Sequence, residues 1–225
     1  MTSAIVTGSG RGIGKAVAIM LSRKGVDVTV CSRNQQEIDE TVNKIAQIHP
    51  GIMGMKCDVG ISSQVDALVK KTVDKFGGVD ILVNNAGIVF LKKLADTTEQ
   101  EWDQTIHSNL KSAFLCCRAV LPYMVDGTII NVSSGAGKTG FENLSAYCAS
   151  KFGMMGLTES LAWEVRGRIR VMAICPSDVD TAMQDVDPNY HRKNRSRMLS
   201  AEQVASRILE MIFDGKYQNG QSVDI

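Results

Sequence analysis

Short apolar runs alternate along the chain with longer stretches in which apolar positions recur at a helical period. The short runs lack polar alternation, which is typical of strands covered on both faces of a sheet. Strands are predicted at 4–7, 28–31, 54–57, 81–85, 128–133, 169–175 and 221–225. Helices are predicted at 12–24, 35–48, 62–76, 99–123, 145–165 and 200–214.

The regular order of strand and helix predicts an α/β fold of the Rossmann type. We expect a doubly wound parallel sheet of about seven strands with helices on both faces. The 225 residues suit one such domain, and no linker divides them, so a single domain over 1–225 is predicted. Ligands bind such sheets beyond the carboxyl ends of the strands, so residues that follow each strand are candidates for a site.

Composition excludes some classes of function. Net charge is +1 and 22% of residues are charged, so no overall charge favours nucleic acid or a membrane surface. The six cysteines form no C-x-x-C pair and no metal-ligand spacing, so we expect free thiols and no metal. No charged leader or long apolar run precedes the first strand, which favours a cytoplasmic protein without a signal peptide or membrane span.

The segment TGSGRGIG, residues 7–14, joins the first strand to the first helix. Residues without Cβ let backbone N–H groups and the helix N-terminus approach a pyrophosphate. A tight turn without a ligand is the alternative interpretation. The dinucleotide contacts predicted from this segment are Gly8, Ser9, Arg11, Gly12, Ile13 and Gly14.

The residues after the second strand bear on which dinucleotide binds. Folds that bind NAD usually have an acidic residue there for the ribose 2′-hydroxyl, but this chain has Ser32 and Arg33. Arg11 adds a second cation. Two arginines without a carboxylate favour a 2′-phosphate, and hence NADP(H) over NAD(H). Alternatively, both arginines are solvated.

Further contacts are predicted after the third and fourth strands. The carboxylate of Asp58 can accept a hydrogen bond from the adenine amine, and Gly87 lets backbone pass close to the nucleotide. The contacts predicted in these two segments are Asp58, Val59, Asn85, Ala86 and Gly87.

Tyr147 and Lys151 are four residues apart, so they share one face of a predicted helix. A nearby ammonium favours the phenolate; moving the pKa of Tyr147 from about 10 to about 7 requires about 4 kcal/mol. Such a phenol suits general acid–base catalysis. A solvated lysine beside a core tyrosine is the alternative.

Seven segments occur in one order: TGSGRGIG, CDV, NNAG, the asparagine of HSNL, NVSS, YCASK and a loop that starts at Pro176. In them the chain resembles the short-chain dehydrogenase/reductase family over essentially its whole length. The resemblance implies four catalytic residues: Asn109, Ser134, Tyr147 and Lys151. It also implies cofactor contacts from Tyr147, Lys151, Pro176, Val179 and Thr181.

In that family, the serine orients the substrate carbonyl, the lysine also binds the nicotinamide ribose, and the asparagine holds a water of the proton relay. Ser133 competes with Ser134 for the first role, since adjacent side chains of a strand face opposite ways. The family's Pro-Gly is Pro176-Ser177 in this chain, for which we expect a modest change of loop shape.

A substrate lid is expected at about 184–199, where four cations cluster: Arg192, Lys193, Arg195 and Arg197. With Arg166 and Arg168 they suit the phosphates of coenzyme A or of an acyl carrier protein. A solvated loop is the alternative. Within the family the pattern is most similar to reductases of 3-oxoacyl thioesters. The alternatives are a broad carbonyl reductase or sugar/polyol dehydrogenase, a catalytically silent NADP-binding regulator, and a structural subunit.

Small residues on the predicted helix 145–165 bear on self-association. Ala149, Gly153 and Gly156 permit close packing against a partner, and the resemblance implies a homotetramer or homodimer. Close packing within one chain explains the same residues equally well.

Overall fold

The computed structural model describes residues 2–225. One sheet contains seven strands, all paired in parallel, in the order β3-β2-β1-β4-β5-β6-β7. The strands are β1 (Ser3–Thr7), β2 (Asp27–Ser32), β3 (Ile52–Lys56), β4 (Ile81–Asn84), β5 (Gly127–Val132), β6 (Ile169–Cys175) and β7 (Ser222–Asp224). The predicted doubly wound single domain is confirmed.

The helices are α1 (Gly12–Arg23), α2 (Gln35–Ala46), α3 (Ser62–Phe76), α4 (Glu99–Ile106), α5 (Ser112–Val120), α6 (Ser145–Glu164), α7 (Pro188–Asn194) and α8 (Ala201–Phe213). The predicted helix 99–123 is divided into α4 and α5 by a π-helical turn, His107–Lys111. Helix α7 lies in the segment predicted as a lid. Among residues 2–225, none of the helices combines the length and the apolar composition that a membrane crossing requires.

Alternate side chains of the central strand β1 enter two separate cores. Val6 contributes to the core under α1, α2 and α8, while its neighbour Ile5 contributes to the core under α3, α5 and α6. Both side chains are almost fully buried. Burial of an aliphatic side chain of this size stabilises the fold by about 1.5–3 kcal/mol, so both layers hold the sheet in place.

The chain reverses its direction of travel across the sheet at β1, which pairs with β2 on one side and β4 on the other. At the carboxyl end of β1, the Thr7 hydroxyl oxygen accepts hydrogen bonds from the backbone N–H of Asn85 (3.0 Å) and Ala86 (3.1 Å). These bonds join the glycine-rich loop to the loop after β4. The crevice at this reversal is where such sheets bind ligands.

The small residues of α6 have different surroundings. A Cβ on Gly153 would lie 2.6 Å from Leu110 Cδ2, so this glycine permits close packing within the chain. A Cβ on Gly156 would have no heavy atom of the described residues within 4 Å, and Ala149 is exposed. Internal packing therefore explains Gly153, while Gly156 and Ala149 face outward.

Candidate active site

A cavity of about 670 Å³ opens beyond the carboxyl ends of the central strands. Its volume lies in the range of small-molecule and cofactor sites. Twelve residues predicted from the sequence as cofactor contacts line it: Gly8, Arg11, Gly12, Ile13, Ser32, Arg33, Asp58, Val59, Asn85, Ala86, Gly87 and Thr181.

The glycine-rich loop forms one wall of this cavity with its backbone. Gly8 (φ 61°) and Gly12 (φ 54°) adopt the left-handed conformation that favours glycine. A Cβ on Gly14 would lie 2.5 Å from both Gly8 O and Asn85 Nδ2. Among the described residues no side chain caps the first turn of α1, so its N–H groups are available to an anion. This bare backbone cradle fits the pyrophosphate of a dinucleotide.

Six of the predicted contacts do not line the cavity. Ser9 is fully buried; its hydroxyl donates to Val6 O (2.7 Å) and accepts from Cys31 N–H (2.9 Å), which ties β1 to β2. Val179 is buried and pairs with Leu199. Besides Ser9 and Val179, the predicted contacts outside the cavity lining are Gly14, Tyr147, Lys151 and Pro176.

Asp58 is held firmly in the cavity wall. Its Oδ1 accepts a hydrogen bond from Gly60 N–H (2.9 Å) and lies 3.3 Å from His107 Nε2. Its backbone N–H donates to Gln64 Oε1 (2.8 Å). These contacts fix the carboxylate where the sequence predicts an adenine contact.

The cavity wall also contains residues that the sequence did not predict. Glu37, in the first turn of α2, lines the cavity, and its Oε1 lies 3.9 Å from Arg11 Nε. Asp180 also lines the cavity, beside Thr181. Glu37 is three residues past the N-cap Asn34, and no pattern in the sequence indicates that it lies against the glycine-rich loop.

Lys151 lies at the edge of the cavity, with only 4% of its surface exposed. A Cβ on Gly87 would lie 3.8 Å from its Nζ. The ammonium donates a hydrogen bond to Val132 O (2.8 Å), the last residue of β5. Loss of hydration lowers the pKa of Lys151 to about 8.

Tyr147 shares a face of α6 with this lysine, and the Lys151 Nζ lies 5.6 Å from the centre of its ring. Burial raises the pKa of the phenol to about 12, and the Ser134 hydroxyl beside it acts in the opposite direction. Desolvation of the phenol thus outweighs the lowering of the Tyr147 pKa that was expected from Lys151. Desolvation dominates, because the ammonium is bonded to Val132 O instead of the phenol.

The two serines after β5 have different partners. Ser133 is buried, and its hydroxyl donates to Lys151 O (3.2 Å), which binds α6 to the sheet. The Ser134 hydroxyl accepts from Ala136 N–H (3.2 Å) and lies beside Tyr147. Ser134 is thus the serine that faces the phenol.

Asn109 occupies the centre of the π-helical turn and is fully buried. Its Oδ1 accepts from Ile88 N–H (2.8 Å), and its Nδ2 donates to Ile88 O (2.9 Å) and to Ser150 Oγ (3.0 Å). A Cβ on Gly87 would lie 3.2 Å from Asn109 Oδ1. π-Helical turns are frequent at functional sites, and this one joins the loop after β4 to α6.

The segment predicted as a lid is bound to the loop after β6. The Tyr190 hydroxyl donates to Asp178 Oδ2 (2.6 Å), Arg195 Nε donates to Asp180 Oδ2 (2.8 Å), and His191 Nε2 lies 2.8 Å from Asp180 Oδ1. Arg195, followed by His191, lowers the pKa of Asp180. All four cations predicted to meet substrate phosphates are exposed, and Arg195 among them is paired with Asp180 within the chain.

Comparison with known proteins agrees with this geometry. The family model described as short chain dehydrogenase matches residues 2–190. The 3-oxoacyl-[acyl-carrier-protein] reductase FabG of Thermotoga maritima is 34% identical, with 98% of this chain and 94% of that protein aligned. A 3beta-hydroxysteroid dehydrogenase of Mediterraneibacter gnavus is 39% identical, with 80% of this chain and 67% of that protein aligned.

A solved structure gives the same result at the level of the fold. The crystal structure of levodione reductase superposes with a TM-score of 0.92 at 29% identity, and the match covers 100% of this chain and 95% of that one. The family model spans most of the sequence, and relatives align over nearly all of it. The chain therefore belongs to the short-chain dehydrogenase/reductase family.

Proposed function

We propose that this protein is an NADP(H)-dependent reductase that converts a 3-oxoacyl thioester to the 3-hydroxyacyl form. Membership of the family implies an oxidoreductase with a nicotinamide cofactor. The observation that carries the proposal is the convergence of Tyr147, Ser134 and Lys151 at the edge of the cofactor cavity. Tyr147 supplies a proton donor, Ser134 a hydrogen-bond donor and Lys151 a cation. Reduction of a carbonyl requires these three groups close together.

When bound, the cofactor supplies the hydride. Ser134 donates a hydrogen bond to the substrate carbonyl oxygen and holds it beside Tyr147. Tyr147 then gives its proton to that oxygen. A phenol with an ordinary pKa of about 10 already carries its proton at neutral pH, so Tyr147 has the proton that reduction of the carbonyl requires.

Lys151 and Asn109 act around this pair in the proposal. The Lys151 ammonium lies close enough to Gly87 to bind a ribose that enters the cavity there. Asn109 holds the backbone at Ile88 and the Ser150 hydroxyl, and so fixes the loop over the site. We expect it to hold a water that carries protons towards Lys151.

Arg11 and Arg33 support the preference for NADP(H). Both line the cavity beside Ser32, and both are largely exposed there, so their guanidinium groups can reach a 2′-phosphate. Guanidinium groups bind phosphate through paired hydrogen bonds.

The rim of the site favours a substrate with an apolar part. Loops that leave the carboxyl ends of β4, β5 and β6 carry exposed apolar side chains: Leu91, Leu94, Phe141, Met183 and Val186. An acyl chain suits such a rim better than a sugar does. The exposed cations of the lid suit the phosphates of coenzyme A or of a carrier protein's phosphopantetheine, with Arg166 and Arg168 as further contacts of a carrier.

A broad carbonyl reductase is the second candidate, and the apolar rim favours it as well. The similarity to levodione reductase and to a 3beta-hydroxysteroid dehydrogenase points to ketones without a thioester. A silent regulator is disfavoured, because the tyrosine, lysine, serine and asparagine are all present.

We further propose a homotetramer or homodimer in the cytoplasm. The outward face of α6 presents Ala149 and Gly156, and exposed aromatic residues, Phe152 and Trp163, lie on the same helix. Small and aromatic residues together suit a close interface between helices.

The test is the initial rate of cofactor oxidation with acetoacetyl-CoA, a cyclic diketone and a sugar, each with NADPH and NADH. Thioester-selective turnover with NADPH that disappears in Tyr147→Phe supports the proposal. Turnover of the diketone alone would favour the second candidate. Binding of NADPH without turnover of any carbonyl would favour the regulator.

A further inference from the structure

Glu37 places a carboxylate in the part of the cavity that the sequence assigned to cations alone. It lines the cavity together with Ser32 and Arg33, and its Oε1 lies 3.9 Å from Arg11 Nε. A Cβ on Gly10 would lie 2.7 Å from both Glu37 Cβ and Glu37 Oε2, and 3.1 Å from Ser32 Oγ. The glutamate therefore packs directly on the glycine-rich loop, at the end of the cavity that Ser32 also borders.

Helix α2 is fastened in this place. The Thr41 hydroxyl donates to Glu37 O (2.9 Å) and lies 3.3 Å from both Ser9 O and Gly10 O. Asn34 caps the helix by accepting hydrogen bonds from the backbone N–H of Gln36 and Glu37. The backbone of Glu37 is thus held by the cap of α2 and by the contacts of Thr41 with the glycine-rich loop, which places its side chain against Gly10.

A carboxylate at this position acts oppositely on the two forms of the cofactor. It repels a 2′-phosphate that binds between Arg11 and Arg33, and it occupies Arg11 in the absence of that phosphate. Towards a 2′-hydroxyl it is a hydrogen-bond acceptor of the kind that dinucleotide sites use for NAD. The two arginines therefore favour NADP(H), and the glutamate in the same site favours NAD(H).

We propose that Glu37 is a specificity-determining residue that limits the preference for NADP(H) and permits NAD(H) to bind. This inference rests on the proposed function, since it concerns the same cofactor site. The inference makes a prediction of its own: removal of the negative charge of Glu37 improves binding of NADP(H) and weakens binding of NAD(H).

The experiment compares Glu37→Gln with wild type and with Glu40→Gln, which is one turn further along α2. Glu40 is a matched control, because it approaches Lys15 at 4.0 Å and does not line the cavity. Dissociation constants are measured by calorimetry for NADP⁺, NAD⁺ and adenosine 2′,5′-bisphosphate, at low and at high ionic strength. The ratio of kcat/KM for NADPH to that for NADH is measured in parallel.

We expect Glu37→Gln to tighten the binding of NADP⁺ and of the bisphosphate by about tenfold, which corresponds to about 1.4 kcal/mol, because the repelling charge is removed. Binding of NAD⁺ should weaken severalfold. High salt should reduce the gain for NADP⁺. Glu40→Gln should leave both constants unchanged. An unchanged ratio in Glu37→Gln, or equal weakening of both cofactors, would overturn the inference, since loss of structure alone weakens both.

The two proposals fail in different ways. A wild-type protein that prefers NAD⁺ would refute the NADP(H) preference, yet the shift of the ratio in Glu37→Gln would still decide the role of Glu37. A protein that binds neither cofactor would refute both.

Discussion

Around the glycine-rich loop the backbone itself forms the wall of the site, whereas around Tyr147 and the lid side chains form it. In the first region, Gly14 lies so close to Gly8 O that no other residue fits. In the second, Asp178 and Asp180 hold the lid by three side-chain contacts to Tyr190, His191 and Arg195. A backbone site tolerates few substitutions and keeps one ligand. A side-chain site can change its ligand through a few substitutions, which accords with the different substrates named for the relatives.

The largest effect is expected where the two regions meet. Tyr147→Phe removes the proposed proton donor and keeps the ring, so turnover should fall by about 100- to 10,000-fold. Binding of the cofactor should change little, since Tyr147 does not line the cavity. Steady-state rates and calorimetry of the same preparation check both statements. Undiminished turnover would remove Tyr147 from the mechanism.

Addition of a single methyl group should destabilise the protein at the glycine-rich loop but not in the loop before Tyr147. Gly14→Ala places a Cβ 2.5 Å from Gly8 O and should cost about 1–3 kcal/mol of unfolding free energy and weaken cofactor binding. Gly140→Ala is the matched control, because among the described residues no heavy atom lies within 4 Å of its Cβ. Denaturant unfolding and cofactor titration measure both variants. Equal tolerance of the two would contradict the contrast between the regions.

Lys151→Met should abolish turnover and at the same time stabilise the fold. Burial lowers the pKa of Lys151 from 10.5 to about 8, which corresponds to about 3 kcal/mol of destabilisation below pH 8. Loss of the hydrogen bond to Val132 O offsets about 1 kcal/mol of that gain. The net expectation is about 2 kcal/mol of added stability at pH 7.

The pH dependence provides the check on this prediction. Between about pH 8 and 10 the unfolded chain holds a proton on Lys151 that the folded chain has lost, so wild-type stability rises with pH. The difference in unfolding free energy between Lys151→Met and wild type should therefore decrease from about pH 8 to about pH 10. Denaturant unfolding at several pH values measures it, and a constant difference would show that desolvation of the ammonium is not the cause.

The smallest effect is expected in the lid. Asp180→Asn removes the charge that Arg195 and His191 share, and trypsin should cleave 184–199 about three- to tenfold faster with little change in global stability. Asp185→Asn is the control, since Asp185 lies farther from His191 (3.3 Å) and is exposed. Because Arg195 lowers the pKa of Asp180, wild type should keep its resistance above the ordinary carboxylate pKa and lose it as the pH falls.

The sequence predicts the sheet well because a buried parallel strand reads as a continuous apolar run. The strand predicted at 169–175 coincides with β6 (Ile169–Cys175). Helix α7 was missed because it has no apolar stripe, and its order depends on the cap from Asp187 and on contacts with the loop after β6. Such contacts between distant segments have no local pattern in the sequence.

The same distinction holds within the candidate site. The glycine-rich loop can be predicted, because backbone conformation and close approach limit which residues occupy it. Glu37 could not be predicted, since its place in the cavity wall depends on how α2 lies across Gly10. The hydrogen-bond partner of Lys151 could not be predicted either. Whether the ammonium bonds Val132 O or the phenol depends on distances in the folded chain, which the spacing of residues in the sequence does not determine.

Because Asn109 lies in the π-helical turn at His107–Lys111, its position in the site depends on the number of residues in this segment. Such a turn contains one residue more than an α-helical path needs. Removal of one residue between α4 and Asn109 would make the helix regular and rotate the asparagine by about 100° relative to α4. A single-codon deletion could thus separate Asn109 from Ile88 and Ser150 while every other residue of the site remained, so alignments of relatives should treat gaps in this segment as functional changes.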